Sequence, residues 1–225
     1  MSMPIILRRL GLMDYQRSYE AMSLFTTQRG IQTSDEIWCL QHPSVYTLGL
    51  AGKQEHILDA GEIPVIKTDR GGQVTYHGPG QLLIYLLVDL RRRKIGIKDY
   101  VRLLEQSLID YLLELGLSAQ RRPGAPGVYI EDRKIAALGI RVRRACSYHG
   151  LALNVNMDTS PFSGINPCGY PNLQVTQLAD FGLTAGLDEV IDGLLKVLLR
   201  NIAGEPYNIV IKQGLADLLS DHATA

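Results

Sequence analysis

A cysteine and a lysine are the side chains of this sequence best suited to covalent chemistry. Cys168 stands between proline and glycine in Asn166-Pro-Cys-Gly169, and a cysteine in such a setting lies in a turn, where its thiol is accessible. The thiolate is the nucleophilic form, and a neighbouring ammonium raises its fraction. Lys134 begins an apolar segment that alternates like a strand. If the two side chains meet, they form an activated nucleophile.

The environment of Lys134 follows from the alternation of its strand. The face that it begins continues with apolar residues at every second position, namely Ala136, Leu138, Ile140 and Val142. Lys134 therefore either extends out of this face into solvent or occupies a pocket. In a pocket, we expect desolvation to lower its pKa from the usual value of about 10.4.

A glycine-rich segment, Arg70-Gly-Gly-Gln-Val-Thr-Tyr-His-Gly-Pro-Gly-Gln81, precedes a wholly apolar run, Leu82-Leu-Ile-Tyr-Leu-Leu-Val88. Glycine permits tight bends and lets a ligand approach the backbone. The residues from Gln73 to His77 alternate as in a short strand, and the apolar run has the length of a buried strand. The pattern predicts the lip of a pocket fixed to the core of a sheet; two hairpin turns without function are the alternative.

The remaining cysteines fit structural roles better. Cys39 lies within Ile37-Trp-Cys-Leu40 and is interpreted as a core residue. Cys146 follows two arginines that could activate it, but it begins a strand, which favours a structural role.

Two histidines allow other chemistry. His77 lies in the glycine-rich segment and His149 in a later strand. A metal site formed with Cys168 is conceivable, although no metal-ligand spacing supports it. A cysteine–histidine hydrolase would use the same residues, and their separation in sequence neither supports nor excludes it.

The elements that must position these residues are mostly short strands. Helices are predicted from Asp14 to Gln28, from Ile97 to Leu115 and from Leu187 to Ile202, with a possible short one from Gly214 to Ser220. Strands are predicted over 4–10, 36–40, 45–48, 63–67, 73–77, 82–88, 127–130, 134–142 and 146–156, with a hairpin turn at 131–133. The basic run Arg91–Lys94 is expected to end the long buried strand. Short connections between strands favour an α+β fold with a mixed, largely antiparallel sheet over a βαβ layout.

Composition narrows the function classes. The chain has 225 residues, 46% hydrophobic and 20% charged, with 23 basic and 23 acidic residues. A zero formal charge argues against a dedicated nucleic-acid binder. Three cysteines without a Cys-x-x-Cys pair indicate neither a disulfide framework nor a zinc ribbon. With neither a signal peptide nor a run of 18 apolar residues, we expect a cytoplasmic, reducing location and a single domain over 1–225.

Three segments together resemble the lipoyl(octanoyl) transferase family. They are Arg70–Gln81, Lys134–Ile140 with His149-Gly-Leu-Ala-Leu-Asn154, and Asn166–Gly169. The resemblance extends from about Ile5 to Leu199 and leaves the C-terminal tail unassigned. Ala145 stands where the family pattern has glycine, a minor departure in a turn.

The resemblance implies a fold and a set of site residues. The fold would be that of biotin and lipoate protein ligases, a mixed α/β domain related to class II synthetase cores. Cys168 would form an acyl-thioester, and Lys134 would activate the thiol and serve as acid and base. The acyl pocket would be lined by Arg70, Gly71, Gly72, Gln73, Val74, Thr75, Tyr76, His77, Ala137, Leu138, Gly139, Gly150, Leu151 and Ala152.

The resemblance also implies partners. The donor would be octanoyl-acyl carrier protein, and the acceptor a specific lysine of the lipoyl domains of 2-oxoacid dehydrogenase complexes or of the glycine cleavage H protein. No cofactor, metal, nucleic acid or membrane would be needed. An ATP-dependent lipoate or biotin ligase on the same fold is the alternative, and the presence of Cys168 opposes it. A non-catalytic protein that binds acyl groups or lipoyl domains is a third hypothesis, which the same cysteine opposes.

Overall fold

The computed structural model describes residues 3–204 and 207–216. Its strands are β1 (Ile5–Leu12), β2 (Asp35–Gln41), β3 (Val45–Leu48), β4 (Val65–Lys67), β5 (Val74–His77), β6 (Gln81–Leu87), β7 (Val128–Ile130), β8 (Arg133–Arg143), β9 (Cys146–Asn154) and β10 (Ile209–Gln213). The α-helices are α1 (Tyr15–Gln28), α2 (Leu90–Arg93), α3 (Ile97–Glu114) and α4 (Leu187–Ala203). No helix in the described part is long and apolar enough to cross a membrane.

The strands form two sheets. The larger has seven strands in the order β10-β1-β2-β6-β9-β8-β7, and the smaller has three in the order β4-β3-β5. From β2 to β7 all neighbours in the larger sheet are antiparallel, whereas β1 runs parallel to both β2 and β10. The predicted mixed, largely antiparallel sheet with flanking helices is therefore confirmed.

The two faces of the large sheet are covered differently. Alternate residues of β6, Ile84 and Leu86, face a core shared with α3 and α4. The residues between them, Leu83 and Tyr85, face a smaller cluster beneath α1. Because side chains of a strand alternate between faces, the apolar run of β6 supplies both cores. The smaller sheet packs around a third cluster that includes Tyr76.

Helices α1 and α3 begin and end for local reasons. The Asp14 carboxylate accepts a hydrogen bond from the Arg17 amide at 2.9 Å, as expected of the predicted N-cap. Helix α3 buries the face that carries Leu104 and Leu108, and Gly116 follows with a φ of +80° that ends it.

Some features of the structure were not predicted. Strands β2 and β3, which flank a short turn at His42, belong to different sheets, so this turn connects two layers. The basic run follows the end of β6, as expected, and lies in the short helix α2, which was not predicted. Arg92 and Arg93 of this helix bind the buried Asp35 carboxylate at 2.6 and 3.0 Å. Strand β10 was not predicted. The helix predicted from Gly214 to Ser220 lies mostly outside the described residues, which end at position 216.

Candidate active site

Cys168 lies in a single turn, Pro167–Gly169, that follows a short irregular segment. Its φ and ψ are 57° and 17°, a left-handed conformation that is uncommon for residues other than glycine, asparagine and aspartate. The turn is closed by the Gly169 amide, which donates to the Asn166 carbonyl at 2.9 Å. The Asn166 amide in turn donates to the backbone carbonyl of His56 at 2.8 Å. The backbone therefore holds the half-buried thiol at the surface of the core, and strained residues of this kind concentrate at functional sites.

The Lys134 ammonium lies against this thiol. Lys134 Nζ is 2.9 Å from Cys168 Sγ and also donates to the Pro126 carbonyl at 3.0 Å. The Nζ atom stands 5.1 Å from the centre of the Tyr129 ring, a favourable cation–π position. Only 4% of Lys134 is exposed, so the lysine does not extend into solvent.

Gly127 makes room for the lysine. Its φ is +134°, and a Cβ atom there would lie 2.7 Å from the Ala136 carbonyl oxygen, 3.0 Å from Lys134 Cε and 3.1 Å from Nζ. The Glu105 carboxylate fixes this backbone by accepting a hydrogen bond from the Gly127 amide at 3.1 Å. A larger residue at position 127 would crowd both the backbone of β8 and the end of the lysine side chain.

The expected direction of the Lys134 pKa shift was wrong. Burial alone disfavours the ammonium, but its contact with Cys168 and the nearby Tyr129 hydroxyl outweigh that effect and raise the pKa of Lys134. The lysine is therefore held as a cation at neutral pH, in contact with the sulfur.

Arg70 organises the glycine-rich segment. Its guanidinium donates to the Thr47 hydroxyl and carbonyl and to the carbonyls of Gly71 and Gln73, at 2.6–3.0 Å. Burial lowers the pKa of Arg70, and the charge of Cys168 opposes that shift. The side chain thus ties the segment to β3 and adds positive potential near the sulfur.

A pocket opens beside Cys168 on the α1 face of the large sheet. It holds about 500 Å³ of empty space, its open mouth included, and has a mainly apolar lining. Its floor crosses three strands, because Ala137 of β8 pairs with Ala152 of β9, which pairs with Leu83 of β6. The next row, from Gly139 to Gly150 to Tyr85, runs beside it. Gly150 is required there, since a Cβ atom would lie 2.0 Å from the Ile84 carbonyl oxygen.

Most of the residues proposed for the acyl pocket line this cavity, and two do not. Those in the lining are Arg70, Gly72, Gln73, Val74, Thr75, His77, Ala137, Leu138, Gly139, Gly150, Leu151 and Ala152, together with Cys168. Gly71 stands behind the wall and donates its amide to the Ile140 carbonyl at 3.0 Å. Tyr76 points the other way, into the core of the small sheet beside Tyr46 and Phe162.

Four lining residues were not proposed for the pocket from the sequence: Tyr15, Leu83, Tyr85 and His149. Leu83 and Tyr85 could have been found by alternation, because they share a face of β6 once the pocket side is known. Tyr15 comes from the first turn of α1, and no local pattern indicates that the helix lies over the pocket.

The histidines near the pocket are engaged in hydrogen bonds of their own. His77 Nδ1 bonds to Gln81 Oε1 at 2.7 Å, and His149 Nε2 bonds to Asp69 Oδ1 at 2.9 Å. Burial lowers the pKa of His77 to about 3 and also lowers the pKa of His149. Among the residues that the structure describes, no three histidine, cysteine or acidic side chains are grouped as metal ligands would be. Within the described part of the chain, no hydrogen bond joins Cys168 to His77 or His149.

The other two thiols are buried. Burial raises the pKa of Cys39 to about 12 and also raises the pKa of Cys146. Neither thiol is activated, in keeping with the structural roles that their sequence context favours.

Comparison with known proteins places the chain in a family. The model of the lipoyl protein ligase A/B catalytic domain matches residues 14–199. The chain belongs to this family. An octanoyltransferase from Azoarcus sp. (strain BH72) is 59% identical over 201 residues, which cover 88% of each chain. The enzyme described here is accordingly an acyltransferase.

Solved structures show the same fold at low sequence identity. A lipoate-protein ligase A bound with ATP superposes with a TM-score of 0.78 at 17% identity, over 98% of this chain and 95% of that one. A biotin protein ligase from Aquifex aeolicus superposes with a TM-score of 0.53 at 13% identity, over 92% of this chain and 72% of that one. The expected fold of biotin and lipoate protein ligases is therefore confirmed.

Proposed function

We propose that the enzyme transfers an octanoyl group from octanoyl-acyl carrier protein to a specific lysine of lipoyl domains, through a thioester on Cys168. The contact of 2.9 Å between Lys134 Nζ and Cys168 Sγ is the observation that carries this proposal. It supplies a nucleophile at the edge of an apolar pocket. The octanoyltransferase relatives support the identity of the acyl group.

In the first step the Cys168 thiolate attacks the carbonyl carbon of the donor thioester. A bond forms between that carbon and Sγ, the bond to the carrier's sulfur breaks, and the departing thiolate takes a proton from the Lys134 ammonium. Thioester exchange of this kind is nearly balanced in energy. It stores the acyl group without ATP and divides one difficult transfer into two easier steps.

In the second step the amine of the acceptor lysine attacks the acyl-cysteine. The neutral Lys134 amine accepts the proton that the attacking nitrogen releases, and Cys168 leaves as a thiolate paired again with an ammonium. The product is an amide, which is more stable than the thioester, so this step drives the overall transfer. Lys134 thus acts first as acid and then as base.

The pocket suits an acyl chain of about eight carbons. Two spacings between strands, from β8 through β9 to β6, span roughly 10 Å. Seven carbon–carbon bonds of an extended chain span about 9 Å at about 1.25 Å per bond. A chain attached to Cys168 would cross Ala137 and Ala152 and end near Leu83, Tyr85 and Tyr15.

The partners are part of the proposal. The acceptors would be lipoyl domains of 2-oxoacid dehydrogenase complexes and the glycine cleavage H protein, and the reaction would take place in the cytoplasm. A single catalytic domain would span the chain. A lipoate-protein ligase A and an archaeal lipoate protein ligase studied with its E2 lipoyl domain share this fold, which supports an acceptor of this class.

A transfer assay tests the proposal against the ligase alternative. Octanoyl-acyl carrier protein and an apo lipoyl domain are mixed with the enzyme without ATP, and the mass of the lipoyl domain is followed. The proposal expects the domain to gain one octanoyl group in an amide bond. Modification from free octanoate that requires ATP, with none from the carrier protein, would instead support the ligase.

A further inference from the structure

Two amide side chains in the motif segments remain without a role. Gln81 ends the glycine-rich segment and Asn154 ends β9, and they are only 2% and 4% exposed. Neither lines the pocket. Gln81 Nε2 donates to Asn154 Oδ1 at 2.9 Å, which joins the two segments inside the core.

The hydrogen bonds of these amides belong to a chain in which every donor and acceptor is determined. Gln81 Oε1 can only accept, so the ring of His77 must donate to it from Nδ1. His77 Nε2 then carries the lone pair and accepts from the Thr47 hydroxyl at 3.4 Å. That hydroxyl oxygen accepts in turn from the Arg70 guanidinium. Donors and acceptors therefore run in one sense from Arg70 to Asn154.

The backbone of Thr176 connects Asn154 to the backbone of Lys134. Asn154 Nδ2 donates to the Thr176 carbonyl at 2.9 Å. The Thr176 amide donates to the Lys134 carbonyl at 2.9 Å, and the Lys134 amide donates to the Gln174 carbonyl at 2.9 Å. The segment 174–176, which leads away from the Cys168 turn, is thereby fixed alongside the first residues of β8.

We infer that Gln81 and Asn154 are positioning residues, which hold the segment 174–176 against Lys134 and so keep its ammonium at Cys168 Sγ. The inference rests on the nucleophile pair of the proposed function. A core that needed only packing would be served equally well by apolar residues of the same shape, because buried amides contribute little net stability. The fixed sense of the chain gives the amides a use that apolar residues would not have.

Alkylation of Cys168 by iodoacetamide reports on this pair without any acyl donor. Parent, Gln81→Glu, Asn154→Asp and Asn154→Ala are alkylated over a range of pH, and adducts on Cys168 are counted by peptide mass. Both acidic variants keep the side-chain shape but lose the donating amide. Asn201→Asp is the control, since Asn201 is a partly buried amide that donates to Ser107 at 3.0 Å and to Asp110 at 3.5 Å, on the opposite side of the sheet.

We expect alkylation at pH 7 to slow by about tenfold in the Gln81 and Asn154 variants, the size of effect that a lost buried hydrogen bond gives. The pH midpoint of alkylation should rise, with Arg70 and Tyr129, which also interact electrostatically with Cys168, still in place. Asn201→Asp should keep the parent's profile. In the transfer assay, kcat should fall with little change in KM.

Two results would overturn the inference. Folded variants that keep the parent's alkylation profile would show that the amides do not position the pair. Unfolding of all three variants at pH 7, with Asn201→Asp folded, would show that they serve the core alone. If the parent takes up no octanoyl group but the variants still alkylate more slowly than the parent, the proposed function is contradicted and the positioning role remains.

Discussion

Lys134 Nζ donates to Cys168 Sγ across 34 positions of the sequence. The lysine is fixed by β8 and by the Pro126 carbonyl, and the cysteine by a left-handed turn. Each residue therefore reaches the contact from a rigid element, which is the arrangement that a preorganised nucleophile requires.

Replacing Lys134 should separate its two roles. Lys134→Ala removes the charge beside the sulfur, so the pH midpoint of Cys168 alkylation should rise by about one unit. Lys134→Arg keeps a charge but does not readily release a proton, so it should retain part of the alkylation rate and lose acyl transfer. Lys196→Ala, at an exposed position of α4, is the control. The role fails if both Lys134 variants alkylate and turn over like the parent.

The floor of the pocket should set the acyl chain length. Ala152→Val fills the middle of the row between Ala137 and Leu83. Since each buried methylene contributes about 0.8 kcal/mol, the loss of room for two should shift the ratio of kcat/KM for octanoyl over hexanoyl donors by about tenfold. Ala136→Val, on the opposite face, should lower thermal stability without changing this ratio. An unchanged ratio in Ala152→Val would place the acyl chain elsewhere.

Basic residues beyond the pocket floor should guide an acidic donor. Arg141 and Arg143 follow Ala137 and Gly139 on the same face of β8 and are exposed. Their reversal to glutamate should raise the KM for the carrier protein at low salt with little effect on kcat, because such charges steer encounter. Lys196→Glu combined with Arg200→Glu, at two exposed positions of α4, gives the same change in net charge and is the control. Equal KM values in all three proteins would remove this surface from the donor's path.

Two buried histidines should make the fold sensitive to acid. Burial lowers the pKa of His42 to about 4 and that of His77 to about 3. Both are neutral when folded, whereas the unfolded chain protonates them below about pH 6.5. The unfolded state then binds more protons than the folded state. The free energy of unfolding should therefore decrease as the pH is lowered below about 6.5, by about 1.4 kcal/mol per pH unit for each histidine.

Urea unfolding at pH 7, 6 and 5 measures this slope. His42 Nδ1 donates to the Met13 carbonyl and Nε2 accepts from the Tyr85 hydroxyl, both at 2.6 Å. Glutamine offers a donor and an acceptor but does not titrate. His42→Gln should therefore roughly halve the slope that the two histidines produce. Equal unfolding free energies at pH 7 and pH 5 in the parent would contradict the assignment.

Local patterns in the sequence predicted the elements that local forces determine. The apolar spacing of α3 and the continuous apolar run of β6 were sufficient, because burial of those side chains fixes the periodicity. Strand β10 was missed, since its parallel partner β1 lies about 200 residues away and nothing near Ile209 reports that pairing. Helix α2 was also missed, because Asp35, which binds its residues Arg92 and Arg93, is remote in sequence.

The candidate site could be predicted from the sequence only in part. Residue types pointed to Cys168 and Lys134, but the resemblance to a family, and not their spacing, linked them. The direction of the Lys134 pKa shift depends on whether burial or the contact with Cys168 has the larger effect. The sequence specifies neither the depth of burial nor the distance between the two side chains. The role of Gln81 and Asn154 needed the orientation of each amide, which only the hydrogen-bond partners define.

A covalent octanoyl adduct on Cys168 is the most direct test of the account. The enzyme is mixed with octanoyl-acyl carrier protein, without acceptor or ATP, and quenched in acid. Intact mass should rise by one octanoyl group, and peptide mapping should place it on Cys168 and not on Cys39 or Cys146. Neutral hydroxylamine should remove it, and an apo lipoyl domain should discharge it at least as fast as overall turnover. An adduct on another residue, or full turnover by Cys168→Ala, would contradict the covalent mechanism.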